Sequence, residues 1–135
     1  MNNFKNSTFL GGTCSTSTWR EELLQMLTPV AKENTFNPVV PDWTHECQAV
    51  EDKAREESRY LLFVLSREMV GVFSVAEVVD CSNKYPERTV FCYIPEDFDG
   101  HMLKSLKATA KMVAKNGATV LGSLQEVADF LNAQY

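Results

Sequence analysis

Apolar runs of strand length alternate strictly with stretches of helical periodicity, and this alternation limits the fold more than any other feature of the chain. The apolar runs are Ser7–Gly12 (STFLGG), a weaker one within NTFNPVVP that Pro38 and Pro41 stop, Arg59–Leu65 (RYLLFVL), Arg88–Ile94 (RTVFCYI) and the short ATVLG. RYLLFVL is apolar throughout rather than alternating, as a central parallel strand buried on both faces should be. Between the runs, Trp19, Leu23, Met26, Leu27 and Val30 recur at helical spacing behind a Thr18/Glu21 capping box. His45–Ser58 is highly charged, with Cys47, Val50 and Ala54 as a narrow apolar stripe, and SVAEVVDCSN predicts a helix from Ser74. Leu103, Leu106, Ala110 and Val113 mark a helix that stops at Asn116-Gly117. A second capping box, Ser123/Glu126, precedes a helix with Leu124, Val127, Ala128 and Leu131 facing inward.

Such alternation predicts an α/β fold: a single-domain, flavodoxin-like (Rossmann-like), five-stranded parallel sheet in the order 2-1-3-4-5, with helices on both faces. With 135 residues and connections too short for a linker, the expectation is one domain over residues 1–135. Ligands of such sheets bind beyond the carboxyl ends of the strands where the strand order reverses, here between the first and third strands. The loops that meet there are GGTCSTSTW and SREMVGVFS, the second leading into Glu77.

A chain that is 44% hydrophobic and 23% charged has an ordinary globular composition. Its net charge of −5, without a lysine or arginine cluster, argues against a nucleic-acid polymer as partner. A small nucleoside or nucleotide stays open, because backbone amides at helix starts hold anions without basic side chains. The four cysteines (Cys14, Cys47, Cys81, Cys92) form no C-x-x-C pair, and MNNFKNSTFL lacks the apolar core of a signal peptide. No segment reaches the roughly 18 apolar residues of a membrane span. His45-x-Cys47 has no second ligand pair, so no metal and no cofactor is expected. The reading is a reduced, cytoplasmic protein with buried thiols.

Three features sit where chemistry would be done. Gly11 and Gly12 permit close backbone approach, and Thr13 with the hydroxyls up to Thr18 could hold phosphate or ribose oxygens; the alternative is a polar loop that caps a helix. Pro38 and Pro41 stiffen the chain around Asp42 and Trp43, which places an acid and a stacking ring over a pocket or simply makes a rigid turn. Glu77 follows Ser74 at capping-box spacing, a role worth about 1 kcal/mol. Its neighbours Val72, Phe73, Val75 and Ala76 are unusually apolar for that role and suit a sheltered reactive carboxylate.

Taken together, TFLGGTCSTSTWREEL, FNPVVPDWTHECQAVED, RYLLFVLSREMVGVFSVAEVVD and RTVFCYI resemble the nucleoside 2-deoxyribosyltransferase-like family, from Phe9 to about Leu131. The strand followed by Gly-Gly resembles the family's Y-x-A-G-P opening, and SVAEVVD resembles its G-T-x-x-E-x-G-Y-A block, in which the glutamate is the nucleophile. The resemblance therefore implies Glu77 as nucleophile, with Gly11, Gly12, Thr13 and Ser74 around the substrate. The family's base-contacting acid falls near Glu51 or Asp52, and a second acid, Asp42 or Glu51, would protonate the leaving base. The family's orienting tyrosine falls on Phe9, and an aspartate six residues before the glutamate falls on Gly71. The activity implied by the resemblance is cleavage or transfer at the N-glycosidic bond of a nucleoside or nucleotide, with a free base as second partner. The resemblance also implies a homo-oligomer whose sites a neighbouring chain end, here Tyr135, completes. Two competing readings are a module that holds a nucleotide-like ligand without turnover and a flavodoxin-like electron carrier, which would purify yellow.

Overall fold

The computed structural model describes residues 3–14, 16–40, 42 and 44–135. Among these, the strands are β1 (Thr8–Gly12), β2 (Thr35–Phe36), β3 (Tyr60–Leu65), β4 (Thr89–Tyr93) and β5 (Thr119–Leu121). The helices are α1 (Trp19–Met26), α2 (Pro29–Glu33), α3 (His45–Glu57), α4 (Phe73–Lys84), α5 (Gly100–Lys115) and α6 (Leu124–Gln134). Every strand pair is parallel and the order is β2-β1-β3-β4-β5, as the alternation predicts. β1 pairs with β3 along its full length, Thr8 opposite Tyr60 through Gly12 opposite Val64.

β3 explains why one run can be apolar at every position. Leu61, Phe63 and Leu65 face the layer built from Ala54 of α3, Val78 of α4 and Leu106 of α5. Leu62 and Val64 face the opposite layer, with Trp19 and Leu23 of α1, Ala31 of α2 and Leu131 of α6. All five residues are fully buried. Each such side chain contributes about 1.5–3 kcal/mol on burial, so a polar residue at any of these positions would be costly whichever way it faced.

Three local expectations change. The helix expected to run from Trp19 to Val30 breaks into two, because Pro29 lacks the N–H that would continue it. Leu27 turns extended, Thr28 caps α2 by accepting from the Ala31 amide at 3.3 Å, and Val30 ends up exposed. Thr18 stands at the N-cap position of α1, but its hydroxyl donates to Glu22 at 3.1 Å instead of capping, so the Thr18/Glu21 box does not form. The thiols are not all buried: Cys81 and Cys92 are, Cys47 is partly covered, and Cys14 is exposed in the loop after β1. The Ser123 box does cap its helix, accepting from the Glu126 amide at 3.1 Å.

No helix among the described residues is long and apolar enough to cross a membrane. Tyr135 packs within its own chain, its hydroxyl 3.1 Å from that of Thr8 at the amino end of β1, on the edge of the sheet opposite the carboxyl ends.

Candidate active site

At the carboxyl ends of β1 and β3 a cavity of about 310 Å³ opens, at the predicted reversal point of the strand order. β1 supplies its floor. Gly12 has a φ of +113°, and a Cβ there would overlap the backbone of Val64, so the two strands can approach as they do only with glycine. A Cβ on Gly11 would lie 2.8 Å from the Phe63 ring. Small residues thus leave the floor open, and the Phe9 ring, buried, underlies it.

The loop after Gly12 is held from beneath by two side chains that sequence reasoning passes over. Trp19 Nε1 donates to the Thr13 carbonyl at 2.9 Å, and the buried Arg20 donates to the same carbonyl at 2.7 Å and to that of Leu10 at 3.0 Å. Burial pushes the Arg20 guanidinium below its usual value. Thr13 lines the cavity, but its amide donates to the Val64 carbonyl at 2.9 Å and its hydroxyl accepts from the Ser66 amide at 3.0 Å. Its amide is therefore occupied in shaping the loop, and its hydroxyl oxygen is fixed there as an acceptor. Ser17 bonds to Ser66 at 2.7 Å and, with Thr18, lines a separate hollow beside Asp97.

Acids on two helices converge on one cation. Arg55, in the last turn of α3, donates from one terminal nitrogen to Glu77 Oε2 at 2.7 Å and to Glu51 Oε1 at 3.2 Å. The Glu77 side chain is 13% exposed and that of Glu51 23%, so this is a partly desolvated cluster rather than a surface pair. Burial raises both carboxyls above the ordinary carboxylate value; Arg55 pulls each back, and a neighbouring acid (Glu51 for Glu77, Asp52 for Glu51) raises each further.

This geometry removes the capping role of Glu77. α4 starts at Phe73 with Val72 as its uncapped N-cap, so Ser74 lies inside the helix and the Ser74/Glu77 capping box does not form. The carboxylate turns toward α3 instead. Its shelter comes from Arg55, Glu51 and the floor. Val72 and Phe73, the apolar neighbours in sequence, are 71% and 73% exposed, with Phe73 at the cavity rim.

Of the residues singled out in the sequence, Gly11, Gly12, Thr13, Glu51, Ser74 and Glu77 line this one cavity. Asp52 does not: the single-residue step along α3, about 100° of rotation, leaves Glu51 inward and Asp52 on the solvent side, bonded to Gln48 and Arg55. Asp42 is exposed and outside the lining, while Pro38 of the same segment is in it. Pro41 and Trp43 lie outside the described residues. Arg55 is the notable omission; its Glu51-x-x-x-Arg55 spacing signals an ion pair along one helix, but nothing local signals its reach to α4. No group of three or more His, Cys, Asp or Glu among the described residues could hold a metal ion.

Compared with known proteins, residues 5–98 match the family model described as nucleoside 2-deoxyribosyltransferase like. That segment runs from ahead of β1 to just past β4 and contains every residue that lines the cavity. No curated protein and no solved structure matches the chain. By sheet order, by the position of its cavity and by this match over most of its length, the chain belongs to the nucleoside 2-deoxyribosyltransferase-like family.

Proposed function

We propose that the protein cleaves or transfers at the N-glycosidic bond of a nucleoside or nucleotide, with Glu77 as nucleophile and Glu51 as proton donor. The observation that carries this reading is the pair of raised carboxyls, on separate helices, gathered by Arg55 at the carboxyl edge of the sheet. The hydrogen bond from Arg55 engages Glu77 Oε2 and leaves Oε1 available for attack on the anomeric carbon. As that C–O bond forms, the C–N bond breaks, its electron pair passes to the base nitrogen, and the Glu51 carboxyl supplies the proton. A second base attacking the resulting glycosyl ester gives transfer, its proton going to the Glu51 carboxylate. Water in its place gives hydrolysis. The apolar lining of Phe9, Leu65 and Met69, with the exposed Phe73 ring at the rim, suits a flat ring.

A panel of nucleosides and their 5′-monophosphates, incubated with and without a free base, tests the reading; release or exchange of base, with a sugar ester trapped on Glu77 by mass spectrometry, is the expected result. The ion pair on Glu77, which weakens it as a nucleophile, favours a second reading, a module that binds such a ligand without turning it over. Calorimetric binding with no base released would select that one. The homo-oligomer implied by the family is read by sedimentation of the same preparation.

A further inference from the structure

We propose that Arg55 is the positioning residue that divides labour between the two acids: it holds Glu77 as the charged, attacking carboxylate and leaves the proton on Glu51. This rests on the proposed N-glycosidic reaction, in which the two carboxyls must be in opposite protonation states when the C–N bond breaks. One nitrogen of Arg55 serves both acids, and it is closer to Glu77, at 2.7 Å, than to Glu51, at 3.2 Å. A single cation offsets a single negative charge. Two desolvated carboxylates beside it leave one charge uncompensated, and a proton on the more distant acid removes the excess.

The rest of the surroundings leaves this allocation to Arg55. α3 brings Glu51, Asp52 and Arg55 itself to the cluster, and Asp52, 59% exposed, takes the other terminal nitrogen at 3.2 Å. α4 brings Glu77 and Cys81, whose thiol burial pushes up to about 11, so it stays neutral. Asp80 and Lys84 pair with each other at 3.0 Å. β1 contributes the face of Phe9, 5.4 Å from the guanidinium centre, and no hydroxyl to share in orienting Glu77. The Arg55 Nε is buried without a hydrogen-bond partner among the described residues. A buried donor without a partner there costs stability, so stability alone is a poor account of this arginine.

The test uses protein labelled with carbon-13 at the glutamate carboxyls, titrated by NMR beside the pH profile of kcat/KM. In the wild type, Glu77 should lose its proton before Glu51 as the pH rises. Arg55→Met should move the Glu77 midpoint up by about one pH unit or more and carry the acid limb of kcat/KM with it. Arg55→Lys, which keeps the charge and loses the planar fork, should fall between the two and covers the case in which Arg55→Met does not fold. Glu51 ionising before Glu77 in the wild type, or a folded variant whose Glu77 midpoint and acid limb stay in place, would overturn the proposal. A wild type that leaves every nucleoside intact would instead overturn the reaction, while the order and movement of the two midpoints would still judge the role of Arg55.

Discussion

At the scale of single residues, Glu77→Gln separates charge from shape. Glutamine fills the same space and accepts from Arg55, but its amide cannot attack, so the proposed glycosidic cleavage should fall roughly a thousandfold or more while ligand binding persists. Stability should behave differently. Burial raises the folded-state value of the Glu77 and Glu51 carboxyls, so between the ordinary carboxylate value and the raised one the native state binds more protons than the unfolded chain. Stability then declines as the pH rises through that window and recovers on acidification. Glu77→Gln should flatten this slope, read as melting temperature against pH; an unchanged slope would show that Glu77 is not the group responsible. In the proposed reaction, ionisation of Glu77 should raise activity along an acid limb above the ordinary carboxylate range, and loss of the Glu51 proton should lower it again at higher pH. The thiols offer an independent check. Burial pushes Cys81 up to about 11 and Cys92 up to about 12, whereas Cys14 is exposed. A thiol reagent at neutral pH should modify Cys14 in the native protein and reach Cys81 and Cys92 only after unfolding.

Helix starts illustrate the element scale, because similar sequence signals lead to different local structures. Ser123 caps α6 through the Glu126 amide, whereas Ser74 lies one residue inside α4 and caps nothing. Ser123→Ala should therefore cost about 1 kcal/mol and Ser74→Ala less than about 0.5 kcal/mol, compared by chemical denaturation. Equal losses would mean that α4 begins differently. The contrast has a functional side: a start freed from the Ser74/Glu77 box lets the Glu77 side chain reach Arg55 on α3. The break at Pro29 similarly turns α2 away from the line of α1 and brings Ala31 into the core beside Leu23.

On the scale of the whole molecule, the two packed layers share one sheet. Alternate residues of β3 belong to different cores, so neither layer can open without exposing the strand that the other needs. We therefore propose that residues 1–135 unfold as a single domain. Calorimetric and van't Hoff enthalpies should agree, and fluorescence and circular dichroism should report one coincident transition. Two separable transitions would mean that the layers are independent.

The periodicity of the chain determined the parallel sheet, its order, its covered faces and the edge at which a cavity opens. It could do so because burial of one face or both is written residue by residue, at a spacing of two for a strand and near three and a half for a helix. Gly11, Gly12, Thr13, Ser74 and Glu77 were legible as neighbours for the same reason, since they lie at or just beyond the carboxyl ends of adjacent strands. The side-chain contacts across elements were decided only by the tertiary structure. Arg20 and Trp19 anchor the Thr13 loop through backbone carbonyls, which no residue pattern advertises. Asp52 points to solvent and Glu51 to the cavity because successive residues of a helix lie about 100° apart and only the packed structure sets which of the two turns inward. Arg55 meets Glu77 across 22 positions of sequence, a contact set by how α3 and α4 pack rather than by the propensity of either.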